Sequence, residues 1–373
     1  MIKLSKSSIS NKEVQAVSKV LKKEYLGMGD EVNIFEKELE SFFGRPVVCV
    51  VNGTSALHLS LQACGLKIGH EVLVPTITYL ASFQAITATG AKAIPCDINP
   101  NTGFVDINDC KKRITKNTKA IMPVHYSGGV GNFEEVLHFA KQHNLRVIED
   151  AAHAFGTTYK NQRIGSFGDI ACFSFDGIKN ITSGEGGCIV SADKEIINYV
   201  KDARLLGVEK DTEKRYSGSR SWSFDVKNQG WRYHMSNIMA AIGIEQLKRF
   251  DSLASKRKKI ARLYDSMFED IPNITFLKRD YDNVVPHIYV IFIKSLKNRD
   301  ILRKNMLKLG IETGQHYLPN HLLSFFNKNS NVSFPGADLF YKNSLTLPLH
   351  PDIKVKDVEY IVNSILRLTN NEK

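Results

Sequence analysis

Long apolar runs are missing from this 373-residue chain. No stretch approaches the roughly 18 consecutive apolar residues that a membrane span requires, so neither a membrane-crossing helix nor a membrane partner is expected. Paired cysteines are missing too. Cys49, Cys64, Cys96, Cys110, Cys172 and Cys188 are scattered, show no Cys-x-x-Cys spacing, and mostly sit inside apolar strand-like runs. They read as buried thiols, and no metal site is expected. The first ten residues lack the apolar core and small-residue cleavage site of a secretory signal, which gives a cytoplasmic expectation. There is no internal repeat, no low-complexity segment, and no helix-turn-helix or Lys/Arg stripe at either end, so a nucleic-acid partner is not expected.

What the chain does have is an ordinary soluble composition, 43% hydrophobic and 24% charged, and a formal net charge of +11. Such a length accommodates a large core with a smaller partner domain. The basic excess fits nucleic acid, anionic lipid or a small phosphorylated substrate without choosing among them. One cluster, Lys256 to Lys259, lies among Leu247, Phe250, Leu253, Ile260 and Leu263 at helical spacing and reads as a solvated helix face.

Along the chain, helical spacing at 11–23 and 31–43 precedes a repeating order of short apolar runs and helices. The runs are 47–51, 71–75, 91–96, 120–124 and 146–150, with helices expected at 56–64, 81–89 and 133–143. That alternation marks an α/β domain with a mainly parallel sheet buried on both faces, whose chemistry belongs in the loops after the strands. Runs at 170–175 and 187–191 follow, then a helix at 194–205 and a polar, basic segment at 207–235 that reads as a long loop. Ser236 to Phe268 is expected as one long helix. A strand at 287–292 and helices at 298–309 and 355–368 complete a smaller α+β layer. The domains are expected as 1–245 and 246–373.

The chemistry concentrates between Arg146 and Val190. Asp150 closes Arg146-Val-Ile-Glu-Asp150, where a carboxylate can pair with a protonated pyridine nitrogen. Ser174 offers a hydroxyl at the end of a strand-like run. Lys179 follows in a loop and can carry an amine for an aldehyde, then shuttle a proton. These are the parts that hold pyridoxal phosphate. Asn52-Gly53-Thr54-Ser55 adds amides and hydroxyls at a helix start, suited to a phosphate dianion although equally readable as a plain cap.

Taken together, Val147-Ile-Glu-Asp150-Ala-Ala-His153, Gly165-Ser-Phe-Gly-Asp169, Phe173-Ser-Phe-Asp-Gly-Ile-Lys179 and Gly184-Glu-Gly-Gly187 resemble the DegT/DnrJ/EryC1/StrS nucleotide-sugar aminotransferases. The resemblance extends from Asn52-Gly-Thr-Ser to Gly310-Ile-Glu-Thr-Gly-Gln-His316-Tyr317 and Leu347-Pro-Leu-His-Pro351. It implies the type I aspartate-aminotransferase fold, pyridoxal phosphate as cofactor, and a homodimer with shared active sites. By it, Lys179 is the amine that bonds the cofactor, Asp150 the partner of the ring nitrogen, and Thr54, Ser55 and Ser174 the phosphate contacts. Tyr79 falls at the ring-stacking position and His153 beside the phenolic oxygen. His234 falls where relatives often have Asn or Arg reaching the neighbour's phosphate, which would make cofactor retention pH-sensitive. His316, Tyr317 and Arg220 fall in the substrate region.

The implied reaction takes an amino group from L-glutamate, through pyridoxamine phosphate, to a nucleotide-diphosphate keto sugar. Phe-Ser-Phe-x-x-Ile-Lys resembles the branch that aminates C4 of a 4-keto-6-deoxyhexose for O-antigen-type polysaccharides. The alternatives are amination at C3 of a 3-keto sugar and a non-catalytic protein that has kept the fold. Lys179 itself argues against the related dehydratases, which carry His there.

Overall fold

The computed structural model describes residues 1–294, 296, 298–326 and 332–370. Its main layer is a seven-stranded sheet in the order β1-β9-β8-β5-β4-β2-β3. These strands are β1 (Val47–Val50), β2 (Glu71–Pro75), β3 (Lys92–Cys96), β4 (Thr118–Ile121), β5 (Arg146–Asp150), β8 (Ile170–Ser174) and β9 (Gly187–Val190). A short ribbon of β6 (Thr158–Tyr159) and β7 (Gln162–Arg163) lies between β5 and β8 in the chain. Pairing is parallel from β3 through β2, β4 and β5 to β8, and antiparallel at β8·β9 and β9·β1.

Strands β1, β8 and β9 are buried at every position, and β5 at all but its first. That is why they read as continuous Val, Ile and Cys runs rather than alternating ones: helices cover both faces. The Gly53–Ala63 helix crosses one face with Ala56, Leu57, Leu59 and Leu61 in the core, and Phe35, Leu39, Phe43, Phe155 and Phe173 fill the other.

The smaller layer is the antiparallel sheet β10 (Ile274–Phe276), β11 (Tyr289–Ile293) and β12 (Ser344–Leu347). It packs against the Phe250–Phe268, Arg299–Lys308 and Val355–Asn370 helices. The N-terminal residues also reach this layer: Ile2 bridges Ile311, and Lys3 pairs with Glu312 at 2.7 Å.

Two expectations change. The long helix at 236–268 is two helices, Asn237–Lys248 and Phe250–Phe268, which join at Arg249. The Arg249 guanidinium is tied to Glu13, so the chain turns where side-chain periodicity gives no warning. The segment 207–235 is not loop throughout. It holds the Asp211–Tyr216 helix, anchored because the Tyr216 hydroxyl donates to Glu36 and also accepts from the fully buried Arg204 at 2.9 Å. No helix among the described residues is long and apolar enough to cross a membrane.

Candidate active site

Each functional side chain is delivered by the end of an element. Asp150 is the last residue of β5, held in place by its amide donating to the Pro123 carbonyl at 2.9 Å and its own carbonyl accepting from His125 N–H at 3.0 Å. Its carboxylate is buried but not bare: Oδ2 accepts from the Ser82 hydroxyl at 2.7 Å and Oδ1 from the Ala152 amide at 3.2 Å. Ser82 is itself 2.8 Å from Thr78, so a hydroxyl chain holds the carboxylate in orientation. Sequence reading missed both hydroxyls, because the Leu80–Ala88 helix that carries Ser82 looks like a plain core helix.

Lys179 sits in the turn after β8, its amide donating to Asp176 O at 3.0 Å. Burial pulls its ammonium down to about 8, Asp150 and Asp176 oppose that, and Arg257 adds to it. A lysine so placed has an accessible lone pair near neutral pH. The turn is clamped from below: Arg257, buried without a carboxylate partner among the described residues, donates to the carbonyls of Ile178 (3.3 Å), Lys179 (3.4 Å), His287 (3.1 Å) and Leu349 (3.2 Å). In the sequence Arg257 belongs to the Lys256–Lys259 cluster and gives no sign of facing inward.

Ser174 ends β8 directly against the start of the Gly53–Ala63 helix. A Cβ added to Gly53 would lie 2.8 Å from Ser174 Cβ, and one added to Gly187 would lie 2.6 Å from the Asn52 carbonyl. Both glycines are therefore required by close approach rather than by turn geometry. Asn52 caps the helix, accepting from the Ser55 amide at 2.8 Å and the Ser55 hydroxyl at 2.9 Å. The first amides of a helix have no intrahelical partner, which leaves an anion-favouring end facing Ser174.

These elements enclose a cavity of about 470 Å³. Thr54, Tyr79, Asp150, His153, Ser174, Lys179, His316 and Tyr317 all line it, as do Asp176 and His287, which the sequence did not single out. Burial and the nearby Lys179 charge hold His153 well below the usual imidazole range; burial and Lys179 likewise push His316 down to about 4. The ring of Tyr79 lies 5.6 Å from that of Tyr317.

Three expected contacts lie outside the cavity's lining. Ser55 is buried with its hydroxyl engaged by Asn52. Arg220 is exposed in the 207–235 segment. His234 bridges Val50 at the edge of the sheet, and burial, with the charges of Arg232, Arg204 and Arg215, pushes it down to about 4. Among the described residues no cluster of His, Cys, Asp or Glu could hold a metal ion.

The profile of the DegT/DnrJ/EryC1/StrS aminotransferase family matches residues 7–366. The chain belongs to that family. It is 34% identical over 381 residues to the UDP-4-amino-4,6-dideoxy-N-acetyl-beta-L-altrosamine transaminase of Campylobacter jejuni, covering all of this chain and 99% of that one. It is 35% identical to the spore coat polysaccharide biosynthesis protein SpsC of Bacillus subtilis, over 96% of this chain and 94% of that one. The sugar aminotransferase Spr1654 of Streptococcus pneumoniae, described as putative and solved in its PMP form, superposes with a TM-score of 0.92 at 29% identity, covering all of both chains. The protein is thus a pyridoxal-phosphate-dependent aminotransferase of the type I fold.

Proposed function

We propose that the protein transfers an amino group from L-glutamate to C4 of a nucleotide-diphosphate-linked 4-keto-6-deoxyhexose. The product is a 4-amino-4,6-dideoxy sugar nucleotide for surface polysaccharide synthesis. The observation that carries the reading is one cavity in which an amine held near pH 8 stands beside a hydrogen-bonded carboxylate and a helix start. The position on the sugar is supported by a full-length relative named for a 4-amino-4,6-dideoxy sugar, and the polysaccharide context by a second relative.

The cavity fits the cofactor. Bare Cα atoms at Gly53 and Gly187 let the helix start and the Ser174 strand end approach closely, which brings the helix amides and the Ser174 hydroxyl together for a phosphate dianion, and Asp150 suits a protonated ring nitrogen. When bound, the cofactor supplies an electron sink that stabilises charge left on a carbon after proton loss.

The chain's own residues do the rest. Thr54, Ser174 and the amides around Gly53 would hold phosphate, Ser55 acting through the turn it makes with Asn52. Tyr79 offers a flat face to the ring. Lys179 Nζ, with its lowered proton affinity, can accept the α-proton of the donor amino acid and return it to the carbon that receives the amine. His316 and Tyr317 close the sugar side. His234 and Arg220, outside the lining of this chain's cavity, would act from the neighbouring subunit of a homodimer. The cysteines are unpaired, five of them buried, which favours a reducing cytoplasm.

The test is a panel of 4-keto and 3-keto nucleotide sugars with L-glutamate, scored by mass spectrometry and NMR. A 4-amino product supports the reading, and a 3-amino product overturns it in favour of the C3 branch. Absorbance that does not respond to L-glutamate would remove glutamate as donor.

A further inference from the structure

The segment 2–8 runs between the smaller layer and the turn that carries Lys179. It pairs with the smaller layer at alternate residues: the Ile2 amide donates to Gly310 O at 2.7 Å, Ile2 O accepts from the Glu312 amide at 2.9 Å, and Leu4 O accepts from the Leu349 amide at 3.1 Å. The Leu4 amide donates to Glu312 Oε2 at 3.1 Å, and Lys6 Nζ pairs with Asp352 at 2.8 Å. Farther along, Ser8 O accepts from Gln246 Nε2 at 2.8 Å, and Ser10 caps the Asn11–Lys22 helix. Between these ties, the Ser7 hydroxyl reaches the larger layer. It donates to Gly177 O, 170 residues away in the chain.

That bond completes the backbone of the turn. Asp176 O accepts from the Lys179 amide at 3.0 Å, and Ile178 O and Lys179 O accept from Arg257. Gly177 O accepts from Ser7, its one donor among the described residues. Every carbonyl from Asp176 to Lys179 is therefore engaged, and the Asp176 carboxylate takes the Ile178 amide at 3.2 Å. The segment also lies directly behind the cavity wall. Leu4 and Ser5 border a void of about 10 Å³ with Ile178, His287 and His316, and those same three line the active-site cavity.

A lysine side chain is long and has four rotatable bonds, so where its amine can reach depends on how its backbone is turned. An amine that must bond a carbon and then carry a proton tolerates little misplacement. We propose that Ser7 is a positioning residue: by holding the Gly177 carbonyl it fixes the turn that aims Lys179 Nζ, and the segment 2–8 thereby registers the smaller layer against that amine. The consequence for rate rests on the transaminase reading, whereas the hold on the turn stands on geometry. Arg257 grips the turn at Ile178 and Lys179, and Ser7 grips it one residue earlier, from a different part of the chain.

Two measurements on Ser7→Ala, which keeps every other tie of the segment, test it. In hydrogen exchange of the cofactor-loaded protein, the peptide spanning 176–180 should exchange about five- to tenfold faster than in the parent, the loss of one hydrogen bond, while peptides of the smaller layer keep the parent rate. An increase under about threefold overturns the hold on the turn. In single turnovers at saturating L-glutamate, the absorbance change of the bound cofactor should slow by about five- to tenfold, with the half-saturating concentration unchanged. Ser7→Thr, which keeps the hydroxyl, should match the parent in both measurements. A slowing under about threefold, a loss confined to the half-saturating concentration, or equal losses in Ser7→Thr and Ser7→Ala overturns the positioning role. If the parent's own absorbance does not respond to L-glutamate, the glutamate reading fails, and the exchange rates still decide whether Ser7 holds the turn.

Discussion

At the scale of single residues, the site works by what surrounds an ordinary side chain. Lys179 has an amine near 8 because burial opposes its charge more strongly than Asp150 and Asp176 favour it. Labelling of the cofactor-free protein with an amine-directed acylating reagent, read by peptide mass spectrometry, should therefore show Lys179 reactivity rising through a midpoint near 8. A midpoint near the ordinary lysine value of 10.5 would contradict the burial argument. Lys179→Ala should leave the folded protein intact and abolish transamination, a loss of at least ~10³-fold for a nucleophile and proton carrier in one. Gly53→Ala makes a separate point. The added methyl would meet Ser174 Cβ at 2.8 Å, so helix start and strand end must separate. Cofactor affinity, followed by dialysis, should fall by roughly 10- to 100-fold, an estimate of 1.4–2.8 kcal/mol for loosened phosphate contacts.

At the scale of elements, much of the architecture was legible. The alternation of buried runs with helices reflects a parallel sheet covered on both faces, and Val47–Val50, Arg146–Asp150 and Ile170–Ser174 stand where that pattern put them. Asp150 and Lys179 were legible because their neighbours in the chain are also their neighbours in the site. Ser82, His287 and Arg257 were not, since each arrives from a distant element whose own pattern says core or surface. The short Ile107–Arg113 and Pro335–Asn343 helices and the Ile274–Phe276 strand gave too few turns of periodicity to register. Arg257 offers a test of element docking. It ties the Lys179 turn to the start of β11 and the end of β12, with no carboxylate among the described residues to pair it. Arg257→Met would keep the stem and orphan four carbonyls; a loss of about 2–4 kcal/mol in urea unfolding is expected, and a loss under about 0.5 kcal/mol would remove the clamp.

At the scale of the whole molecule, the 207–235 segment presents a surface the single chain leaves uncovered. Trp222 is 91% exposed and Phe224 59%, on a segment whose ends are firmly fixed by Tyr216 on Glu36 and by Trp231 on Gln62 at 2.9 Å. An arm anchored at both ends that displays a bare indole suits a subunit contact, since the anchoring lowers the entropy cost of ordering it on association. The same arm carries Arg220, and its return leads to His234, two of the three expected contacts that lie outside the lining of this chain's cavity. If the chain forms the proposed homodimer and completes the site through that arm, Trp222→Ser should weaken association by at least about tenfold in sedimentation velocity. Cofactor retention should fall with dilution in step with dissociation, because a subunit that loses its neighbour loses part of its own site. A variant that stays dimeric at the parent's concentration range, or that dissociates while holding its cofactor unchanged, would place the shared site elsewhere on the surface.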